Sequence, residues 1–67
     1  MDEDIRSRIQ IAIKDEEEAI AFYNIIITKL KNNIRNLDQK ERRLLRAVAH
    51  IRQEEETHRN ILMEAIR

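Results

Sequence analysis

The sequence predicts an all-α fold, in which two long helices form an antiparallel hairpin that pairs with a second copy. Its 67 residues include no glycine and no proline, the residues that most often interrupt helices. Apolar residues recur at steps of three and four along two long segments, as on one face of a helix. We therefore expect a single domain, residues 1–67, with helices over about 4–32 and 39–66 and a turn over about 33–38.

The first helix is predicted by a broad apolar stripe made of two parallel rows. One row contains Ile5, Ile9, Ala12, Glu16, Ala19, Tyr23, Ile26 and Leu30. The row beside it contains Ile13, Ile20, Ile27 and Ile34. The opposite face is polar, with Glu3, Gln10, Glu17, Asn24 and Lys31. This amphipathic pattern is typical of a helix that packs one face against a partner.

The turn is indicated by Asn32, Asn33 and Asn36, because asparagine favours turns and tolerates the left-handed conformation that often ends helices. Asp38 followed by Glu41 fits a capping box that would start the second helix. The seam of that helix contains Leu44, Val48, Ile51, Glu55, His58, Leu62 and Ala65. Its polar face contains Arg46, Gln53, Asn60 and Arg67.

Composition excludes several classes of partner. The 13 basic and 13 acidic residues give a formal net charge of zero, so we expect no nucleic-acid binding, even by the segment KERRLLR. No segment approaches the roughly 20 apolar residues of a membrane span. The start, MDEDIRSR, lacks the apolar core of a signal peptide. We expect a cytoplasmic protein without a membrane partner, and the lack of cysteine rules out thiolate metal sites.

Three residues that bind metals occupy seam positions where apolar residues are expected, namely Glu16, Glu55 and His58. Glu16 and Glu55 are equally far from the centre of the turn, so an antiparallel hairpin brings them to the same level. His58 follows Glu55 by three residues and shares its helix face. Because burying carboxylates without a counter-charge costs several kcal/mol, this convergence predicts a metal site.

One hairpin supplies half of such a site and leaves an apolar strip uncovered. A two-fold homodimer would form a four-helix bundle containing a Glu from two helices and Glu-x-x-His from the other two, the arrangement of di-iron carboxylate proteins. Carboxylates and imidazoles without thiolates suit iron or manganese. Three apolar residues off the main stripe predict further contacts and a higher homo-oligomer: Ile11, Phe22 and Ile25.

Two segments carry a resemblance to a known family. The segment DEEEAIAFYN, with Glu16, Ala19 and Tyr23, resembles the first metal-binding helix of rubrerythrin-type ferritins, and RQEEETH resembles their second. The two-helix length and the Phe22–Tyr23 pair are most similar to the encapsulated ferritins. These are half-ferritins in which two subunits share a di-iron ferroxidase centre, completing a ferritin-like four-helix bundle.

The resemblance implies roles for individual residues and a partner. Glu16, Glu55 and His58 would be the iron ligands, and Tyr23 would be their close neighbour. Two acidic residues would line the route by which iron reaches the centre: Asp15 and Glu18. The implied function is oxidation of Fe(II) for iron storage or detoxification, and the implied partner is an encapsulin shell enclosing the protein as a nanocompartment.

Two alternatives stay open. The hairpin could be a structural or interaction module whose seam Glu and His side chains pair without redox activity, or a rubrerythrin-like di-metal protein that scavenges peroxide. Tyr23 fits either a core aromatic residue or a residue that tunes the metal. His50 lies on a polar stripe and is expected to be exposed rather than a ligand.

Overall fold

The computed structural model describes all of residues 1–67 and contains helices without strands. Helix α1 spans Glu3–Asn32, a short 3-10 turn spans Ile34–Asn36, and helix α2 spans Gln39–Ala65. The two helices pack side by side in opposite directions, giving a rod with extents of 51 × 15 × 14 Å. The all-α hairpin is thus confirmed, whereas its pairing with a second copy stays a prediction. Neither helix combines the length and apolar character that a membrane crossing requires.

Helix α1 begins one residue earlier than expected because Asp2 caps it. The Asp2 Oδ1 atom accepts hydrogen bonds from the backbone N–H groups of Asp4, at 2.7 Å, and Ile5, at 3.3 Å. These bonds satisfy amide groups that have no partner inside the first turn of the helix. Acidic residues in the first turn and lysines in the last turn complement the helix dipole.

The turn does not use a left-handed residue, so that expectation for the asparagines is wrong. Asn33 ends α1 with φ of −115°, and no residue in the chain has a positive φ. The 3-10 geometry explains the difference, because the N–H of Asn36 donates to the carbonyl of Asn33 at 2.8 Å and continues the chain reversal. Leu37 is then buried, and the Nε of Arg42 donates to its carbonyl at 3.2 Å.

The predicted capping box at the start of α2 is confirmed. The backbone N–H of Glu41 donates to Oδ1 of Asp38 at 2.7 Å, and the backbone N–H of Asp38 donates to Oε1 of Glu41 at 3.2 Å. Both acidic side chains near the turn are therefore engaged with the backbone. This reciprocal pair fixes the point at which α2 starts and hence the register between the helices.

The core of the hairpin is a single line of contact. The buried residues, each less than a tenth exposed, are Ile20, Ile27, Leu37 and Val48. The row of α1 that includes Ile20 and Ile27 therefore faces α2, whereas the row that includes Ile5 and Glu16 lies at the edge of the contact. Ile34 was expected in the stripe but is exposed, because α1 ends before it and the 3-10 turn points it outward.

One side of the hairpin, here termed the open face, is apolar and uncovered. It carries Ile5, Ala12 and Ala19 from α1 and Leu44 and Ile51 from α2, each on a heptad row beside the contact line. Ile5 is 52% exposed and Leu44 is 49% exposed. The predicted polar row of α1, with Gln10, Glu17 and Asn24, is exposed. Large apolar residues half-exposed along one side are unusual for a chain that works alone.

The total surface confirms that the hairpin is thin for its mass. Its accessible area is 5492 Å², whereas a compact monomer of 8.1 kDa would expose roughly 4,500 Å². The radius of gyration is 15.4 Å, against roughly 11 Å for a compact chain of this length. The hairpin therefore exposes about 1,000 Å² that a globular chain would bury.

The capping box gives a first test. Replacing Asp38 with Ala removes the acceptor for the Glu41 amide, so the free energy of unfolding is expected to fall by about 1 kcal/mol. Urea denaturation followed by circular dichroism at fixed chain concentration measures the change. Gln39→Ala is the matched control, since Gln39 is exposed, uncharged and makes no side-chain hydrogen bond. Equal midpoints for the two variants would contradict the role given to Asp38.

Candidate metal centre

Glu16, Glu55 and His58 lie together halfway along the rod. One ligand atom from each of the three residues can be chosen so that all lie within 4.8 Å of one another. The Nδ1 atom of His58 is 3.8 Å from Oε1 of Glu16, across the contact between the helices. The structure therefore places the three predicted ligands in one cluster, at the common level that the symmetric register requires.

Each helix positions its part of the cluster by simple periodicity. Glu55 and His58 are three residues apart on α2, so both project from one side of that helix. Glu16 projects from α1 toward the same side, because it lies between the contact line and the open face. The capping box and the buried Leu37 set the register of the helices, and this register brings Glu16 to the level of Glu55.

The three side chains differ in their exposure to water. The side chain of Glu16 is 22% exposed, and that of His58 is 53% exposed. Glu55 is half-buried. The sequence placed all three on the inward seam, but His58 lies on the open face, seven residues after Ile51 on the same heptad row. Within one hairpin, the side chain of Glu16 is therefore more shielded from water than that of His58.

Glu16 has the most perturbed electrostatic environment in the chain. Its pKa lies above the ordinary value of 4.5, first because of a side-chain hydrogen bond with Glu55, then because of burial and of repulsion by the Glu55 charge. His58 opposes this rise, and the charge of Asp15 adds to it. The Oε2 atom of Glu16 is buried without a hydrogen-bond partner. A positive charge placed between the two carboxylates would relieve both the repulsion and the unpaired oxygen.

The donor set defines what the cluster can do chemically. It offers carboxylate oxygens and one imidazole nitrogen, which suit divalent cations such as Fe(II), Mn(II) or Zn(II). The three donor groups of one hairpin leave part of the coordination sphere of such a cation open. Two negative charges and a neutral imidazole would balance one divalent cation. A single hairpin can therefore hold one cation, with room for ligands from elsewhere.

The remaining predicted site residues lie around this cluster. Asp15 and Glu18 are exposed on α1, and Asp15 is close enough to influence the pKa of Glu16. Tyr23 is half-buried, two turns nearer to the hairpin turn. Its ring meets that of Phe22 edge to face, with centroids 6.1 Å apart. The role of Asp15 and Glu18 in guiding iron and the role of Tyr23 near the metal stay predictions.

His50 is outside the cluster, as expected. Its side chain is 75% exposed, and its Nε2 atom is 3.0 Å from Oε1 of Glu54, one turn along α2. This exposed ion pair depends on protonation of the imidazole and contributes little to stability. His50 and Glu54 therefore supply matched histidine and glutamate controls for the ligands on the same helix.

Two arginines beside the cluster were missed by the sequence reasoning. Arg52 and Arg59 are half-buried, and the Nε atom of each is shielded from water without a hydrogen-bond partner. Arg52 also forms an ion pair with Glu56 at 2.9 Å. The sequence did contain a signal for both residues. They lie three residues before and four residues after Glu55, a spacing that places them on the same helix face. Long charged side chains can be half-buried in this way because their aliphatic stems pack against other residues.

Comparison with known proteins does not assign this chain to a family. No family model, no curated protein and no solved structure matches the chain. The resemblance to encapsulated ferritins therefore continues to depend on two short motifs, and the function has to be argued from the cluster itself.

The raised pKa of Glu16 predicts how stability depends on pH. The folded state holds the Glu16 proton more tightly than the unfolded chain does, so the metal-free protein should lose stability as pH rises from about 4.5 through the raised pKa. Glu16→Gln imitates the protonated form and should remove this loss, making the variant more stable than the parent at neutral pH. Urea denaturation with a chelator, between about pH 4 and pH 8, measures the difference.

The matched control for this prediction is Glu17→Gln. Glu17 is exposed on the polar face, and its replacement removes the same charge without touching the cluster. A stability difference between Glu16→Gln and the parent that stays constant across this pH range would show that Glu16 titrates normally.

Proposed function

We propose that two copies of this hairpin pack open face to open face and bind two divalent metal ions through Glu16, Glu55 and His58 of each copy. The observation that carries the proposal is the meeting of these three donor groups within 4.8 Å, at mid-length of an uncovered apolar face. We further propose that Fe(II) is the substrate and that the centre oxidises it to Fe(III).

The uncovered surface supports pairing. A standard interface buries about 800 Å² on each partner, and the hairpin exposes about 1,000 Å² more than a compact chain would. Half-exposed apolar residues flank the cluster along the open face, with Leu44 and Ile51 toward the turn and Ile5 toward the termini. A partner on this face would desolvate His58 and Glu55, which a single hairpin leaves partly in water.

The charges support two metal ions rather than one. The pair would bring four carboxylates and two imidazoles into one centre, so four negative charges would balance two divalent cations. Without cations, the same arrangement would place four carboxylates close together in a desolvated interior, which is strongly unfavourable. Cation binding and pairing should therefore reinforce each other.

The chemistry of the donors supports iron as the substrate, with manganese as a second metal that the site would accept. Hard carboxylate oxygens favour Fe(III) over Fe(II), and this preference assists oxidation. Two Fe(II) ions each lose one electron, and one dioxygen molecule gains both electrons and two protons to give hydrogen peroxide. Glu16, Glu55 and His58 hold the ions at fixed positions, and the apolar surroundings limit access of water.

The fate of the product is also part of the proposal. A four-helix bundle of this size encloses no cavity for an iron mineral, so Fe(III) would pass to another protein for storage or detoxification. An encapsulin shell is the receiver that the sequence resemblance suggests, and no contact within the hairpin bears on it.

One observation favours an alternative function. The Nδ1 atom of His58 lies 3.8 Å from Oε1 of Glu16, so a protonated imidazole could pair directly with the carboxylate. In that case the cluster would serve only to join helices or copies, as in a structural module. The two functions differ in metal content and in their dependence on individual ligands, which makes them separable.

Metal binding and oxidation provide the test of the proposed function. The purified protein should bind about one Fe(II) per chain and accelerate its oxidation by dioxygen. Glu55→Ala and His58→Ala should each lower the oxidation rate at least about tenfold, since even residues that only support metal ligands contribute tenfold or more. Metal analysis, analytical ultracentrifugation and absorbance of the ferric product measure stoichiometry, pairing and rate.

Glu54→Ala and His50→Ala are the matched controls, because they remove the same residue types from exposed positions on α2. They should retain the parent rate. Equal rates for all four variants and for protein-free buffer would exclude oxidation at this cluster. Pairing without metal uptake would favour the structural module, and faster oxidation with hydrogen peroxide than with dioxygen would favour peroxide scavenging.

A further inference from the structure

The charges of the hairpin are strongly separated along its length, although the net charge is zero. The half of the rod nearest the turn, residues 19–52, contains eight basic and two acidic residues. The half nearest the termini, residues 1–18 and 53–67, contains eleven acidic and five basic residues. The first is here termed the turn half and carries a net charge of +6. The second is termed the terminal half and carries a net charge of −6. The molecule is therefore an electrically polar rod 51 Å long.

The positive charge of the turn half is not neutralised within the hairpin. Its two acidic residues, Asp38 and Glu41, are engaged with backbone amides in the capping box. Of its eight basic residues, only Arg52 takes part in an ion pair. The remaining seven have no carboxylate partner: Lys29, Lys31, Arg35, Lys40, Arg42, Arg43 and Arg46.

The metal cluster alone does not decide how two copies are oriented. A two-fold axis along the rod would place the turns at the same end and bring the clusters together. A two-fold axis across the rod, at the level of Glu16 and Glu55, would also bring them together and would place the turns at opposite ends. Because the cluster lies near mid-length, the second arrangement also covers nearly the whole open face.

We propose that the copies pair with opposite polarity, so that the turn half of one lies beside the terminal half of the other. This inference rests on the proposed pairing through the open face. Packed helices lie about 10 Å apart, close to the screening length in physiological salt, so neighbouring halves still interact. Opposite polarity places +6 beside −6 and separates like halves by more than the screening length. Equal polarity would place like charges side by side along the rod.

The apolar residues of the open face fit this arrangement. Leu44 lies eleven residues from Glu55 toward the turn, and Ile5 lies eleven residues from Glu16 toward the termini. With opposite polarity, Leu44 of one copy reaches the level of Ile5 of the other. Both are about half-exposed in the single hairpin. The interface would then have apolar contacts at equal distances on both sides of the metal centre.

Charge variants test the orientation, because the two orientations predict opposite changes in the dissociation constant of the pair. Lys40→Gln with Arg43→Gln reduces the charge of the turn half and should raise the dissociation constant of the pair severalfold. Lys14→Gln with Arg67→Gln removes the same charge from the terminal half, makes that half more negative and should lower the constant. Sedimentation with saturating Zn(II), which cannot be oxidised, measures both. A lower constant for Lys40→Gln with Arg43→Gln, together with a higher constant for Lys14→Gln with Arg67→Gln, is the result expected of equal polarity and would overturn the inference.

Distances between spin labels give an independent test, since the chain contains no cysteine. A label at Asn36→Cys, in the exposed turn, should lie about 50 Å from its copy when the polarities are opposite. Equal polarity would place the two labels about 20 Å apart, the thickness of two helix layers. A label at Gln53→Cys, near mid-length, should give a short distance in either arrangement and reports that pairing occurs.

The outcomes separate this inference from the proposed function. A short Asn36 distance together with a short Gln53 distance would overturn the opposite polarity and leave the shared centre intact. No distance at either position, with a monomeric sedimentation profile, would overturn both the shared centre and the orientation.

Discussion

Two straight helices touch along one line, and this geometric constraint governs the rest of the structure. A residue on the line, such as Ile20 or Val48, is buried, whereas a residue one step around the helix is half in water. Only four of the 67 residues are buried, so the hairpin has little core of its own. The chain folds back because its caps and turn are strong local signals, but apolar residues such as Ile5 and Leu44 remain about half-exposed and available to a partner.

The same constraint explains how ionisable groups can occupy the centre of the rod. A carboxylate on the contact line of a larger core would lose nearly all its hydration, at a cost of several kcal/mol. At the edge of a two-helix contact, Glu16 keeps part of its hydration while one oxygen is shielded. Holding Glu16 beside Glu55 therefore raises the pKa of Glu16 but does not prevent the hairpin from folding. The cluster can therefore form before any cation or partner arrives.

Sequence reasoning succeeded where the determining interactions are local. The capping box depends on residues three apart, and the helix limits follow from caps and periodicity, so all could be predicted closely. The meeting of Glu16, Glu55 and His58 was also predictable, because a symmetric hairpin has only one register once its turn is placed. The 3-10 turn and the burial of Leu37 were not, since asparagine-rich segments allow several reversals of similar energy. Arg52 and Arg59 were missed because charge usually indicates exposure, whereas long stems can pack and leave only the head near water.

The turn has a further consequence for how a four-helix centre could be assembled. By joining α1 to α2 through six residues, it holds Glu16 near Glu55 at a high effective concentration before any second chain is involved. Four separate helices would have to meet in a reaction that depends on the fourth power of their concentration. Two hairpins meet in a reaction that depends only on the second power. A short chain with a reliable reversal can therefore build a shared centre at concentrations at which free helices would stay apart.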